Sequence, residues 1–218
     1  MTRTNLLILI CILLSFLVWI TNTEYWEFLF FSTNNFLLGR FWTVITTLFF
    51  HANILHLFGN MLFLYVFGNT LENIVNGRNM LLAFFTGGII TCLLGIPFYN
   101  LDTYLVGASA AIFTLAAAVM LIRPLKFSWL FLMMPTGLVA ILFFFYNIIA
   151  VYQGSSGGVA YISHIIGFLV GIPFGISWSE NWQRNIVITF IMLMLYFVII
   201  IIFAPLILNS INNVLTNI

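Results

Sequence analysis

Charge is what this chain of 218 residues most lacks: six Lys and Arg with five Asp and Glu make up only 5% of it, and the net charge is +1. A water-soluble domain carries about a quarter charged residues. With 63% hydrophobic residues, 18% aromatics and a mean hydropathy of +1.18, the chain requires lipid as solvent over most of its surface. No basic, aromatic-interleaved stretch is present to bind nucleic acid. Cysteine is scarce too. Cys11 and Cys92 both lie in apolar runs, where a free thiol behaves as a small hydrophobe and stays protonated, so neither a structural disulfide nor a thiol nucleophile is expected. None of the acids Glu24, Glu27, Glu72, Asp102 and Glu180 neighbours a histidine. That excludes a His-Glu-x-x-His zinc motif, and the lone aspartate, in a loop, excludes an aspartyl pair. No metal or cofactor is expected, and no internal repeat of the kind common in transporters is seen.

What the chain does have is long apolar runs. Crossing a ~30 Å hydrocarbon core takes about 20 residues of helix, the only option for segments this long. Seven spans are expected, near 5–20, 54–73, 79–98, 106–122, 127–150, 160–178 and 186–208. The first resembles a signal peptide, but Trp19-Ile20-Thr21-Asn22-Thr23 offers no small-x-small cleavage site, so it reads as a retained anchor. Residues 21–53 mix aromatics with few charges, as segments lying at a membrane interface do. Arg123-Pro124 ends the fourth helix, and Gly154-Ser155-Ser156-Gly157-Gly158 makes a flexible loop before the sixth.

Lys and Arg concentrate in short cytoplasmic loops. With the amino terminus inside, Arg3, Arg78, Arg123, Lys126 and Arg184 all fall inside and only Arg40 outside. The carboxyl terminus is then outside, and the second, fourth and sixth helices each run inward. His56 and Asn60 fall in the first turns of the second helix, Ser109 at the start of the fourth and His164 in the first turns of the sixth. All four therefore share one depth, close to the outer surface. Lys126, the sole lysine, falls on the other side, which excludes a serine–lysine dyad.

A serine hydroxyl is a weak nucleophile until a base takes its proton. Neutral His164 is suited to accept the Ser109 proton and return it to a leaving amine. The oxyanion formed needs donors already in place, and Asn60, His56 and the Ser109 backbone N–H are available. His56 and Asn60, four residues apart, share one helix face, and Gly59 beside them permits another helix to approach. Ser109 at a helix amino terminus also meets the positive end of the helix dipole. Gly167, Gly171 and Gly175 form a stripe on the sixth helix that faces small residues of the fourth, among them Gly107, Ala108, Ala110 and Ala111. Such residues let membrane helices approach closely. His51, five residues from His56 and so on another face, reads as structural or interfacial.

Over about residues 40–178 the chain resembles the rhomboid intramembrane serine proteases. His51-Ala52-Asn53-Ile54-Leu55-His56-Leu57-Phe58-Gly59-Asn60-Met61 resembles the family's second-helix signature, Gly107-Ala108-Ser109-Ala110 its nucleophile motif and Ser163-His164-Ile165-Ile166-Gly167 its sixth-helix motif. The resemblance implies an all-α polytopic membrane protein, a six-helix transmembrane core (about 1–178) plus one extra C-terminal transmembrane helix (about 186–208), in a single membrane domain spanning 1–218. It implies Ser109 as nucleophile, His164 as base, and His56, Asn60 and the Ser109 N–H as oxyanion hole, without cofactor or metal. Gly68 and Glu72 match a structural Gly-xxx-Glu element, the carboxylate finding donors in the following loop or third helix.

The implied partners are the lipid bilayer and single-pass or other transmembrane protein substrates. These would enter between the second and fifth helices, where Phe143, Phe144 and Phe145 lie. Ala110, Phe113 and Thr43 stand where the family usually has Gly, Tyr and Arg; Phe113 keeps a ring able to stack on His164. The implied activity is hydrolysis near the extracytoplasmic face through an acyl-enzyme, the alternative being a catalytically inactive, client-binding rhomboid-like protein. The absence of a targeting extension fits a prokaryotic cell membrane.

Overall fold

In lipid every backbone N–H and C=O must be paired within the protein, so the apolar runs fold as helices. The computed structural model describes the backbone at residues 1–21, 24–154 and 160–216, and the side chains among these except at 24, 25 and 206–216. The Gly/Ser loop expected before the sixth helix falls, at 155–158, outside the described residues. The first helix, α1, is Arg3–Thr21. The segment that follows is neither span nor random connector: it folds as short helices α2 (Thr33–Leu37) and α3 (Thr43–Thr46) with 3-10 turns. Its apolar outer face includes exposed Leu37, Leu38, Phe41 and Trp42. On its inner side Phe31 bridges Leu105, and Asn35 Nδ2 donates to the Glu27 and Phe30 carbonyls at 2.9 and 2.8 Å.

Asn53 starts α4 (Ile54–Phe63) as its N-cap, with extended backbone and its side-chain oxygen accepting the His56 N–H at 2.9 Å. The helix widens to a π turn at Leu64–Gly68 and continues as α5 (Asn69–Gly95). Asn76, with φ 71° and ψ 165°, breaks α5. Asparagine is among the few non-glycine residues that tolerate positive φ, and its Oδ1 accepts the Arg78 and Asn79 N–H groups, restarting the helix. The chain reverses there. The limb before Asn76 leads from His56, beside Gly107, to Glu72, beside Arg3; the limb after it returns from Gly77, beside Arg3, to Gly95, beside Leu105.

The central helix is α6 (Ser109–Ile122), in which all residues but Ser109, Phe113 and Ile122 are buried. A helix apolar on every side has to be surrounded, and α5, α7 (Thr136–Tyr152), α8 (Tyr161–Trp178) and α9 (Trp182–Thr216) pack around it. The closest approach is to α8. A methyl group added at Gly167 or Gly171 would fall on the Ala110 or Thr114 carbonyl. From α9, Asn185 Nδ2 donates to the Leu121 and Ile122 carbonyls at 2.8 and 3.1 Å, pairing groups that the end of α6 leaves free.

The fifth expected span, 127–150, requires correction. Residues 127–135 form a two-stranded antiparallel ribbon, β1 (Phe127–Ser128) with β2 (Met134–Pro135), and α7 begins only at Thr136. Leu132 and Met133 take left-handed φ values of 52° and 61° in its turn. Pro135, which lacks an N–H, suits the position just before a helix and not its interior. Gly59 is the second correction. A methyl there would meet nothing within 4 Å, so the glycine faces open space and admits no neighbouring helix.

Among the described residues, four helical stretches are long and apolar enough to cross a membrane: Arg3–Thr21, Ile54–Phe98 (broken at Asn76), Tyr161–Trp178 and Trp182–Pro205. The shorter α6 and α7, of 14 and 17 residues, are apolar as well. The molecule is an all-α multi-pass integral membrane protein, save for the small ribbon.

Candidate active site

Ser109 opens α6 because Gly107 turns the chain into it. Gly107 has φ of +115°, and a side chain there would collide with the His56 ring, so both backbone and space require glycine. Its N–H donates to the Thr47 carbonyl at 3.0 Å, and Thr47 Oγ1 donates to the Leu105 carbonyl. The turn before the serine is thus tied to the segment before α4. His164 sits one turn into α8. Tyr99 fastens that turn, its hydroxyl accepting the Ser163 N–H at 3.2 Å and sharing a hydrogen bond with Ser163 Oγ at 3.0 Å.

These tethers bring Ser109 Oγ to 2.8 Å from His164 Nε2. Phe113, one turn along α6 from the serine, stacks on the His164 ring with centroids 4.7 Å apart and planes inclined by 10°. The ring's other nitrogen, Nδ1, lies 2.7 Å from Asn147 Oδ1 on α7. The sequence reading overlooked Asn147. Its signal was a lone amide in the apolar run Phe143-Phe144-Phe145-Tyr146-Asn147, and a polar residue inside a membrane helix is a functional candidate by default.

A cavity of about 250 Å³ opens over the pair, lined by His56, Gly59, Asn60, Ser109, Phe113, Asn147 and His164 together with apolar residues that include Phe63 and Phe143. All four sequence-selected polar residues therefore meet at one cavity. Asn60 Nδ2 donates to the His56 carbonyl at 2.8 Å, and Asn60 Oδ1 is buried with no partner among the described residues. Of the three phenylalanines on α7, Phe143 lines the cavity and packs edge-on against Phe63 at 4.7 Å, while Phe144 stacks on Phe168. Thr43, at the family's arginine position, is buried and donates to the Arg40 carbonyl.

His51 takes the structural of its two expected roles, but it packs against His56 and does not face away from it. It is buried, with its Nδ1 3.1 Å from Ser15 Oγ, its Nε2 3.5 Å from the Ala108 N–H and its ring edge-on to His56 at 5.2 Å. Burial, and next the nearby His56, push its pKa down to about 3. Gly68 and Glu72 lie at the far end of the molecule. Gly68 leaves room for Thr4. Glu72 accepts from the Arg3 N–H, the Thr4 N–H and Thr4 Oγ1 at 2.8, 2.8 and 2.7 Å. Its donors thus come from the start of α1, correcting the expectation of the following loop or third helix. The amino end of a helix presents unpaired N–H groups and a positive dipole, a natural seat for a carboxylate. Among the described residues no group of three His, Cys, Asp or Glu side chains comes together as a metal site.

A multi-pass helical protein that holds a serine and a histidine in hydrogen-bond contact beneath a cavity between its helices defines a narrow structural class. The family model for the Rhomboid domain matches residues 38–181, two thirds of the chain, and the chain belongs to the rhomboid family. Comparison with curated proteins gives no match.

Proposed function

We propose that this protein is an intramembrane serine endopeptidase that cleaves transmembrane protein substrates. The observation that carries the reading is the 2.8 Å contact between Ser109 Oγ and His164 Nε2 at the floor of the cavity. Ser109 Oγ attacks the scissile carbonyl carbon while His164 Nε2 takes its proton. The oxyanion of the tetrahedral intermediate is met by the Ser109 N–H, with Asn60 and His56 on the cavity wall as further donors. His164 gives its proton to the leaving amine as the C–N bond breaks, leaving an acyl-enzyme. Water, deprotonated by the same ring, then releases the acid and restores the serine.

The domain is a single membrane unit with seven passes, the Asn76 break dividing Ile54–Phe98 into two and α6 and α7 supplying two more. Substrate reaches the cavity from lipid between α4 and α7, where Phe63 and Phe143 touch. The polar end of the cavity faces the extracytoplasmic side.

Cleavage of a single-pass reporter in liposomes at pH 7–8 tests the reading. The wild type cuts, and Ser109→Ala and His164→Ala each lose roughly 10³-fold or more, as removal of one member of a catalytic unit does. Equal cleavage by all three would assign the activity to a contaminant. No cleavage by folded wild type across several reporters would replace the reading with that of an inactive client-binding protein.

A further inference from the structure

We infer that Asn147 is a positioning residue for His164 and makes the serine–histidine pair a Ser109–His164–Asn147 triad; the inference rests on the protease reading above. Asn147 is buried on α7, and each end of its amide has one close partner: Oδ1 lies 2.7 Å from His164 Nδ1, and Nδ2 lies 2.6 Å from the Phe143 carbonyl. These two bonds settle the protons. A carbonyl oxygen only accepts, so the amide group facing Phe143 is the NH₂, and the amide oxygen faces the ring. Turning the amide over would set two acceptor oxygens against each other. An amide oxygen also only accepts, so His164 Nδ1 carries the hydrogen. A neutral imidazole has one N–H, which leaves Nε2 with the free lone pair that points at Ser109 Oγ, 2.8 Å away.

Asn147 therefore selects the tautomer that acts as a base toward the serine. It also fixes the ring within its own plane, while the Phe113 stack fixes the plane itself. When Nε2 takes the serine proton, both ring N–H groups have acceptors: Nδ1 toward Asn147, and Nε2 toward Oγ or the leaving nitrogen. A neutral amide does this without burying a carboxylate among apolar side chains, which is costly unless the charge is paired. Asparagine serves the same orienting role in cysteine–histidine–asparagine proteases on an unrelated fold.

The test compares wild type, Asn147→Leu and Asn147→Asp by two readouts. ¹⁵N NMR of histidine-labelled protein reads the His164 tautomer, and the labelling rate of Ser109 by a fluorophosphonate probe reads its reactivity. Reporter cleavage is split into kcat and KM. The wild type is expected to show the Nδ1–H tautomer. Asn147→Leu is expected to lose that preference, with labelling rate and kcat falling on the order of 10- to 100-fold and KM unchanged, less than the ~10⁴ lost when a triad is held in the wrong tautomer. Asn147→Asp, whose protonated form still donates to Phe143 and accepts from His164, is expected to restore most of the rate.

An Nε2–H tautomer in the wild type, or wild-type labelling by a folded Asn147→Leu, overturns the assignment. Should the leucine variant fail to fold, the wild-type tautomer and the aspartate variant decide alone. A wild type that shows the Nδ1–H tautomer yet never reacts with the probe would instead overturn the protease reading and leave the positioning role standing.

Discussion

His51 shows at the scale of one residue how the cavity rests on groups that do not line it. On an unbroken helix it and His56, five positions apart, face different ways. The helix begins only at Ile54, so the chain before it is free to turn His51 inward, edge-on to His56 and against Ser15 and the Ala108 N–H. The ring is held neutral, its pKa lowered from 6.5 to about 3 by burial and then by His56. A depressed folded pKa means that the unfolded chain binds the proton more readily. The stability contributed is complete above pH 6.5 and is lost progressively as pH falls toward 3. Thermal melting in detergent between pH 7 and pH 4 should therefore fall more steeply for wild type than for His51→Gln. Equal slopes would mean that His51 protonation plays no part in acid sensitivity. The meeting of Ser109, His164, His56 and Asn60 at one cavity was legible from spacing because helix depth and face follow from residue count. His51 and Asn147 were not, since their partners lie on other elements and periodicity does not encode which helix comes alongside.

Between elements the same limit recurs. Long apolar runs, the Gly167–Gly171–Gly175 stripe and the alanine-rich α6 made the helices and their closest contact readable, because lipid leaves few choices to an apolar chain. The β1–β2 ribbon was not readable: Phe127 to Pro135 is apolar enough to extend α7, and only Pro135 and the left-handed pair Leu132 and Met133 end it. Glu72 shows a partner that no local rule supplies, because its donors stand 68 and 69 residues away at the start of α1. That bond clasps α1 to the break at Asn76. Glu72→Leu leaves the Arg3 and Thr4 N–H groups without their acceptor, a loss of about 1–2 kcal/mol at this half-exposed position. The variant should melt lower in detergent and fold in lower yield while kcat per folded molecule holds. An unchanged melting temperature would remove the clasp from the account of stability.

Most of the positive charge and the site stand at opposite ends of the molecule. Ser109 opens α6 and Arg123 follows its last residue; 14 residues at about 1.5 Å each separate the two by roughly 20 Å. At the Arg123 end lie Arg3, beside Gly77, and Lys126, whose Nζ donates to Thr70 Oγ1 at 3.0 Å and whose pKa is lowered by burial and by Arg123. Arg184 belongs there too, next to the Asn185 that bonds the end of α6. Arg40 stands apart, donating to Asn35 in the segment on the Ser109 side at 2.8 Å. A cationic end is retained in the cytoplasm, so the serine, histidine and cavity should open to the opposite face. Single cysteines placed in a background lacking Cys11 and Cys92 read this directly. Gln153→Cys, in the exposed turn after α7, should react with an impermeant maleimide on intact cells, and Glu180→Cys, exposed between α8 and α9, only after the membrane is opened. The reverse pattern would place the site on the cytoplasmic side, and the transmembrane substrates to be sought would then be those whose cleavage sites lie near that face.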